Sequence, residues 1–320
     1  MEINMWYETF LGALHEKYPK NTQLTSELMN LLYLEREATY RRLKKDVSFT
    51  ANEIAKVATT WNISLDEIIG INSGQIRFQM FPLNYLNPSP KDFENLQKIV
   101  SMLNHLLTDR DSQYVEISNI LPKPFLLRFP TLLRFKIFNW AYHYHTNELQ
   151  KLFSQIIIPD HVCAEFERYK SNIVHVKNSS FILDEMIFEY LVQNINYFHS
   201  ILVVTDEEKE RIKEELHALL DYMAEIANKG CYPETYNKVN LYISQIAIDT
   251  SYSYFDTDSL KTCSIHAFGK FDISSYDLNM VASFQDWMNA KKRSSIQISE
   301  VNEKKRIEFF GRQREVVEGL

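Results

Sequence analysis

The sequence predicts a mainly α protein in two parts: an N-terminal helix-turn-helix domain of five short helices, and a larger helical C-terminal domain with a small antiparallel β-sheet (α+β). Three observations predict it. Only 7 glycines and 9 prolines occur in 320 residues, too few for sheet architectures dense in tight turns or for glycine-rich phosphate loops. Apolar residues recur at helical spacing through most of the chain, and a composition 45% hydrophobic and 13% aromatic can fill a core. Strand-like alternation is confined to the stretch between Tyr236 and Ile273.

Trp6, Tyr7, Phe10, Leu11 and Leu14 set a first helix, stopped at KYPKN by Pro19 and Asn21. Thr25 or Ser26 caps a second, very short helix with Leu28, Leu31 and Leu32 inward, and a break at Tyr33–Glu35 leads to a third over Arg36–Lys45. The fourth opens at Ser48 or Thr50, with Glu53 completing a Thr50 capping box, and carries Ile54, Ala55, Val57, Ala58 and Trp61. After a turn at Asn62–Ser64, LDEIIG makes the fifth, with Leu65, Ile68 and Ile69 inward and Gly70 as its cap. These helices define a domain over 1–72, and the proline- and aromatic-rich stretch 73–90 reads as a linker.

Residues 91–320 read as the second domain. KDFENLQKIVSMLNHLLTDR is amphipathic through Phe93, Leu96, Ile99, Val100, Leu103 and Leu107. Further helices are predicted at Leu132–His145, Asn147–Gln155, His161–Lys170, Ile182–Ile201 and Asp206–Lys229, the last capped by Thr205, and near Tyr276–Lys292 and Ser299–Val317. VNLYISQIAI, YSYF and LKTCSIHAFGKFDI supply the small sheet, with a turn at Asp256–Asp258.

The formal charge is −7. MEINMWYETF lacks the pattern of an export signal, and the longest apolar region, FPTLLRFKIFNWAYHYH, is broken by Arg134 and Lys136 and is too short to span a bilayer. Cys163, Cys231 and Cys263 are odd in number and far apart, so they read as buried thiols in a reducing cytoplasm, which is the expected location. His143 and His145 point to different helix faces, and Cys263 and His266 fall on opposite faces of a strand. No metal ligand, cofactor or catalytic residue is therefore predicted, and the chain does not read as an enzyme. The aromatic run Phe135, Phe138, Trp140, Tyr142, Tyr144 reads as core, with a ligand pocket as the sharper alternative. The basic clusters at Lys291–Arg293 and Lys304–Arg306 read as solvated helix ends.

One short segment, LEREATYRRLKKD at Leu34–Asp46, concentrates Arg36, Arg41, Arg42, Lys44 and Lys45 in an acidic chain. A helix-turn-helix needs a positioning helix, a tight turn and a second helix whose start reaches base edges while basic groups meet phosphate. Leu28, Leu32, Leu34 and Tyr40 would then pack inside, with Arg36, Glu37 and Thr39 outward at the start of the reading helix and Arg41 and Arg42 further along. Arginine pairs with guanine and glutamate accepts from cytosine, so Arg36 and Glu37 are candidate readers. Lys44, Lys45 and the helix start at Thr25 and Ser26 are candidate phosphate contacts. Taken alone, a basic helix is more often a solvated face.

From Leu24 to Gly70 the chain resembles a lambda-repressor-like (Cro- or XRE-like) helix-turn-helix domain. ELMNLLYLEREATYRRLKKD stands for its second and third helices, and FTANEIAKVATTWNISLDEIIG is similar to its closing helices. With ATYRRL, FPTLLRFKIFNWA and ISEVNEKKRIEFFGRQ, the whole chain resembles BetR-like bacterial putative transcriptional regulators. Tyr33 departs from the small residue usual in the turn and implies a strained or longer turn. The resemblance implies sequence-specific binding to double-stranded DNA and transcription regulation. A homodimer on a two-fold site is the natural expectation, because one copy offers a small footprint. The effector of the second domain, small molecule or protein, stays open, as does the alternative of a protein-interaction scaffold or antitoxin-like module.

Overall fold

The chain is described, by a computed structural model, over residues 3–61, 63–65, 68, 76, 78–80, 83–144, 152–258, 260–267 and 271–320. It divides into two compact units, Met1–Ile76 and Arg77–Leu320.

In the first unit α1 spans Ile3–Lys17, α2 Asn21–Leu32, α3 Arg36–Leu43 and α4 Ala51–Trp61. Their apolar faces close on Phe10, Leu14, Leu24, Leu28 and Val57, all fully buried, with Tyr7, Phe49 and Trp61 around them. The Thr50–Glu53 capping box forms: each side chain accepts from the other's backbone amide, at 2.8 and 3.3 Å. Two boundaries differ from expectation. α2 begins at Asn21, and the Thr25 hydroxyl bonds back to the Asn21 carbonyl at 2.8 Å inside the helix, so it caps nothing. α3 ends at Leu43, because Lys45 turns into the left-handed region with φ 70°. Of the fifth helix, Leu65 and Ile68 are helical and Ile68 is buried, while Asn62, Asp66, Glu67, Ile69 and Gly70 lie outside the described residues.

The second unit overturns the expectation of a mainly α domain with a small antiparallel sheet. Its strands are β1 (Gln79–Met80), β2 (Gln113–Ser118), β3 (Asn178–Leu183), β4 (Lys238–Ser244), β5 (Tyr252–Asp256), β6 (Lys261–Ala267), β7 (Phe271–Ser275) and β8 (Ser295–Gln297). They form one eight-stranded mixed sheet in the order β1-β7-β6-β5-β2-β3-β4-β8. β2, β3 and β4 are parallel neighbours, and the other pairings are antiparallel. β3 escapes a sequence reading because Ser179 and Ser180 are buried polar residues that break any alternation, and because its apolar end merges with the following helix, which was expected from Ile182. The stretch expected as a linker contributes β1 and the buried Leu83 to this unit; residues 73–75, 77, 81 and 82 within it lie outside the described residues.

Helices α5 (Pro90–Met102), α6 (Lys123–Leu126), α7 (Pro130–Tyr144), α8 (Asp160–Ile173), α9 (Ile187–Ser200), α10 (Asp206–Lys229), α11 (Leu278–Arg293) and α12 (Glu303–Glu318) cover the sheet. The helix expected at Asn147–Gln155 is a single 3-10 turn at Phe153–Gln155, with residues 147–151 outside the described residues. α10 keeps its expected bounds because both ends are specified: Thr205 and Glu208 form a capping box, and Gly230 closes it with φ 67°. One face of β3 and β4 presents Phe181, Leu183, Val239 and Leu241 to α9, α10 and α12 in the main core, each such burial contributing about 1.5–3 kcal/mol. Phe135 and Phe138 of the aromatic run stack there on Phe153 and Phe198. The opposite face carries Ile117, Ile182, Tyr254 and Cys263 beneath Val281, Phe284 and Met288 of α11. Among the described residues no helix is long and apolar enough to cross a membrane.

Candidate nucleic-acid interface

α2 and α3 meet at a turn of three residues, Tyr33–Glu35. Tyr33 caps α2 in the left-handed conformation (φ 56°, ψ 43°), its amide bonded to the Met29 carbonyl, and its side chain is 87% exposed beneath the Lys56 ammonium. A tyrosine in this region is strained by about 1 kcal/mol relative to glycine. The strain is tolerated because the tight turn lets both helices keep their inner faces on one core.

Helical geometry then partitions the basic segment. Residues three and four apart share a face, and the inward face of α3 is Thr39, Arg42 and Leu43. Thr39 is completely buried and its hydroxyl donates to the Glu35 carbonyl, which removes it from any outer surface. Tyr40, expected in the core, is exposed, because it lies about 100° around the helix from Thr39. Leu34 is half-buried.

Arg42 also turns inward. Its Nε and Nη2 donate to the two carboxylate oxygens of Glu53 at 3.0 and 2.9 Å, and Nη1 donates to the Ala38 carbonyl. Both side chains are about five-sixths buried, at 14% and 16% exposed, so the pair ties α3 to the start of α4. Burial pushes the Glu53 carboxyl up, but hydrogen bonds from Arg42 and the Thr50 amide outweigh it and hold it below its ordinary value. Lys45 pairs with Glu8 of α1. Two of the five cations thus hold the unit together.

The outward face of α3 is left with Arg36, Glu37, Tyr40, Arg41 and Lys44, all exposed. Among the described residues neither the Arg36 nor the Arg41 side chain has a hydrogen-bond or ion-pair partner, and the Lys44 ammonium rests 4.7 Å from the Tyr40 ring centre. Of the candidate phosphate contacts on α2, Ser26 is exposed and Thr25 half-buried, while the free amides of that helix start at Asn21, where no side chain caps them. Tyr40 is the surface residue that sequence reasoning missed. The signal for it was its spacing: Glu37, Tyr40, Arg41 and Lys44 fall at i, i+3, i+4 and i+7. Comparison with protein-family models, curated proteins and solved structures finds no match for the chain.

Proposed function

We propose that the first unit binds double-stranded DNA with α3 in the major groove, and that the chain is a sequence-specific transcription regulator acting as a homodimer. The observation that carries this reading is the outward stripe Arg36, Glu37, Tyr40, Arg41 and Lys44, presented by a helix whose other basic residues are consumed in holding it. The resemblance of Leu24–Gly70 to lambda-repressor-like domains points the same way. Arg36, Glu37 and Arg41 stand at the base edges, while Lys44 and the free amides of α2 face phosphate. Thr39, Arg42 and Lys45 act by supporting the helix.

Selection of binding sites from random duplexes with the full chain, followed by titration at several salt concentrations, tests it. Arg36→Ala and Arg41→Ala are each expected to weaken the selected duplex by about 1–3 kcal/mol. Unchanged affinity and salt slope in both variants would remove α3 from the interface. A protein-binding module is the second reading, favoured by the exposed rings of Tyr33 and Tyr40. It requires that no duplex is selected above background.

A further inference from the structure

The sheet of the second unit is built differently in its two halves. On the face that carries Phe181 and Leu241 in β3 and β4, strands β2, β5, β6 and β7 carry Glu116, Ser253, Ser264, His266, Asp272 and Ser274. Ser253, Ser264 and Ser274 are cross-strand neighbours in a row. Small hydroxyl groups stand where the other half has large apolar side chains, and the helices above do not fill the space they leave. The result is a chamber of about 230 Å³ with a polar floor and an apolar roof of residues such as Leu96, Ile99, Leu133, Ile137 and Phe166. A second chamber of about 260 Å³ shares Lys136, Trp140 and His266 with it, together with Ile120, Leu121 and Leu126, so those six stand at the junction.

The charged groups of the floor are nearly all matched. Lys123 pairs with Asp272. Asp272 also faces His266 across the β6–β7 pair, carboxylate oxygen to Nδ1 at 3.0 Å. Burial opposes the charge on both Lys123 and Asp272, but each holds the other ionised: the Lys123 ammonium is raised and the Asp272 carboxyl lowered. Roughly a third of each side chain is accessible, and that surface opens on the chamber. The Tyr114 hydroxyl donates to Glu116 at 2.6 Å. Lys136 differs: among the described residues no carboxylate lies within ion-pair distance of its ammonium, and burial together with Lys123 pushes it down to about 8. At neutral pH it is still a cation; the Glu116 and Asp272 carboxyls favour its charge from a distance, but among the described residues neither is in ion-pair contact with it. His266 is also unsatisfied: its side chain is only 10% exposed, and among the described residues its Nε2 has no hydrogen-bond partner. A protein that leaves an ammonium without a direct ion pair and an imidazole nitrogen without a hydrogen bond in an apolar-roofed cavity gains when a ligand supplies their partners.

The anion belongs at Lys136. Burial keeps His266 below its ordinary value, so the imidazole is neutral; with Nδ1–H donated to Asp272, Nε2 offers a lone pair that repels an anion and accepts from a hydroxyl or a water. An ammonium without an ion-pair partner, beside a Glu116 carboxyl that burial keeps largely protonated below about 7, matches one negative charge, which favours a carboxylate over a dianionic phosphate. Size follows from volume: a dry cavity of about 150 Å³ holds benzene, so 230 Å³ holds on the order of nine heavy atoms.

We infer that this chamber binds a small monocarboxylic acid with an apolar, aryl- or alkyl-sized body, its carboxylate on Lys136 and its body under the roof formed by α5, α7 and α8. The site lies wholly within the second unit and does not depend on the DNA-binding reading.

Titration calorimetry of the full chain with benzoate, phenylacetate and octanoate, against the neutral benzyl alcohol and the cationic benzylamine, tests it. At least one acid is expected to bind saturably and more tightly than both controls. Lys136→Met should weaken that acid at least about thirtyfold, the loss of a buried charge partner, while leaving benzyl alcohol unchanged. Ser264→Leu, which fills the floor and keeps Lys136, should abolish binding of acid and alcohol alike. Both variants are checked for native circular dichroism, and if either fails to fold, the acid-over-alcohol preference of the unmodified chain decides alone. No saturable binding by any of the three acids, preference for benzylamine or benzyl alcohol, or equal acid affinity in a folded Lys136→Met variant overturns the inference.

Discussion

Glu116 offers a quantitative test of the second unit's interior. Its side chain is 8% exposed on the central strand β2, and burial raises its carboxyl from 4.5 to about 7, against the opposing hydrogen bond from Tyr114 and the charges of Lys136 and Lys123. The folded state therefore holds a proton that the unfolded chain has released between these two values. Stability contributed by this group is complete below 4.5 and is lost as pH rises through 7. Each pH unit between the two values is worth about 1.4 kcal/mol, so the ionised carboxylate costs about 3 kcal/mol above pH 7. Glu116→Gln keeps the shape and an acceptor for Tyr114 while removing the ionisation. Its stability relative to the unmodified chain should rise by about 2–3 kcal/mol between pH 5 and pH 8. Urea unfolding of both proteins across that range, followed by circular dichroism, measures it. His266 and Asp272 titrate in both proteins and largely cancel in the difference, and Lys136 changes charge only around and above about 8. A difference that stays flat with pH would show that Glu116 is not a buried acid, and would refute the account of the chamber floor.

Arg42→Ala should lower the stability of the first unit by about 2–3 kcal/mol, since it leaves the Glu53 carboxylate half-enclosed and unpaired; pairing it with Glu53→Gln should recover part of the loss in a double-mutant cycle by thermal unfolding. Tyr33→Gly should stabilise the same unit by about 0.5–1 kcal/mol by relieving its left-handed backbone, less what is lost from the Lys56 contact, and a lower melting temperature would show that the turn is not strained. Leu28→Ala, at a fully buried site, should cost about 2–5 kcal/mol in the same measurement, and a near-neutral effect would contradict the packing of α2 on the core.

The first unit was more legible than the second because its signals are local. The Thr50–Glu53 box and the apolar spacing of α1 and α4 lie within a few residues of each other and correspond to observed elements. The partition of the basic segment was not legible. Whether Arg42 points to solvent or to Glu53 depends on how α3 rolls against α4, and Thr39 with Tyr40 were assigned one helical step out of phase. In the second unit the hairpin strands β5 to β7 alternate as expected of strands, whereas β2 and β3 do not, because short strands covered on both faces lose the alternation that marks them, and the half-buried edge strand β8 is only three residues long, too short to show one. The chamber was still less accessible. Glu116, Lys123 and Lys136 lie more than a hundred residues before His266 and Asp272 and meet them only through the mixed sheet and the helices packed on it. One trace of it stands in FPTLLRFKIFNWA, where Lys136 interrupts an otherwise apolar helix; the sequence reading used that lysine only to exclude a membrane span.

The strand order also governs how the protein is made. β2 lies between β3 and β5, yet β5 leaves the ribosome long after β2 does. At about 5–20 residues per second, the side of β2 that will receive β5 stays without its partner for roughly 7–30 s of synthesis. A bare strand edge of that kind is a template for another chain. The first unit, whose contacts are local, can fold within this interval, while the second must bring together segments from both ends of its length before its centre is protected. Misassembly is thus a hazard of the growing chain more than of the finished one, and it falls in the time before Tyr252–Asp256 arrives.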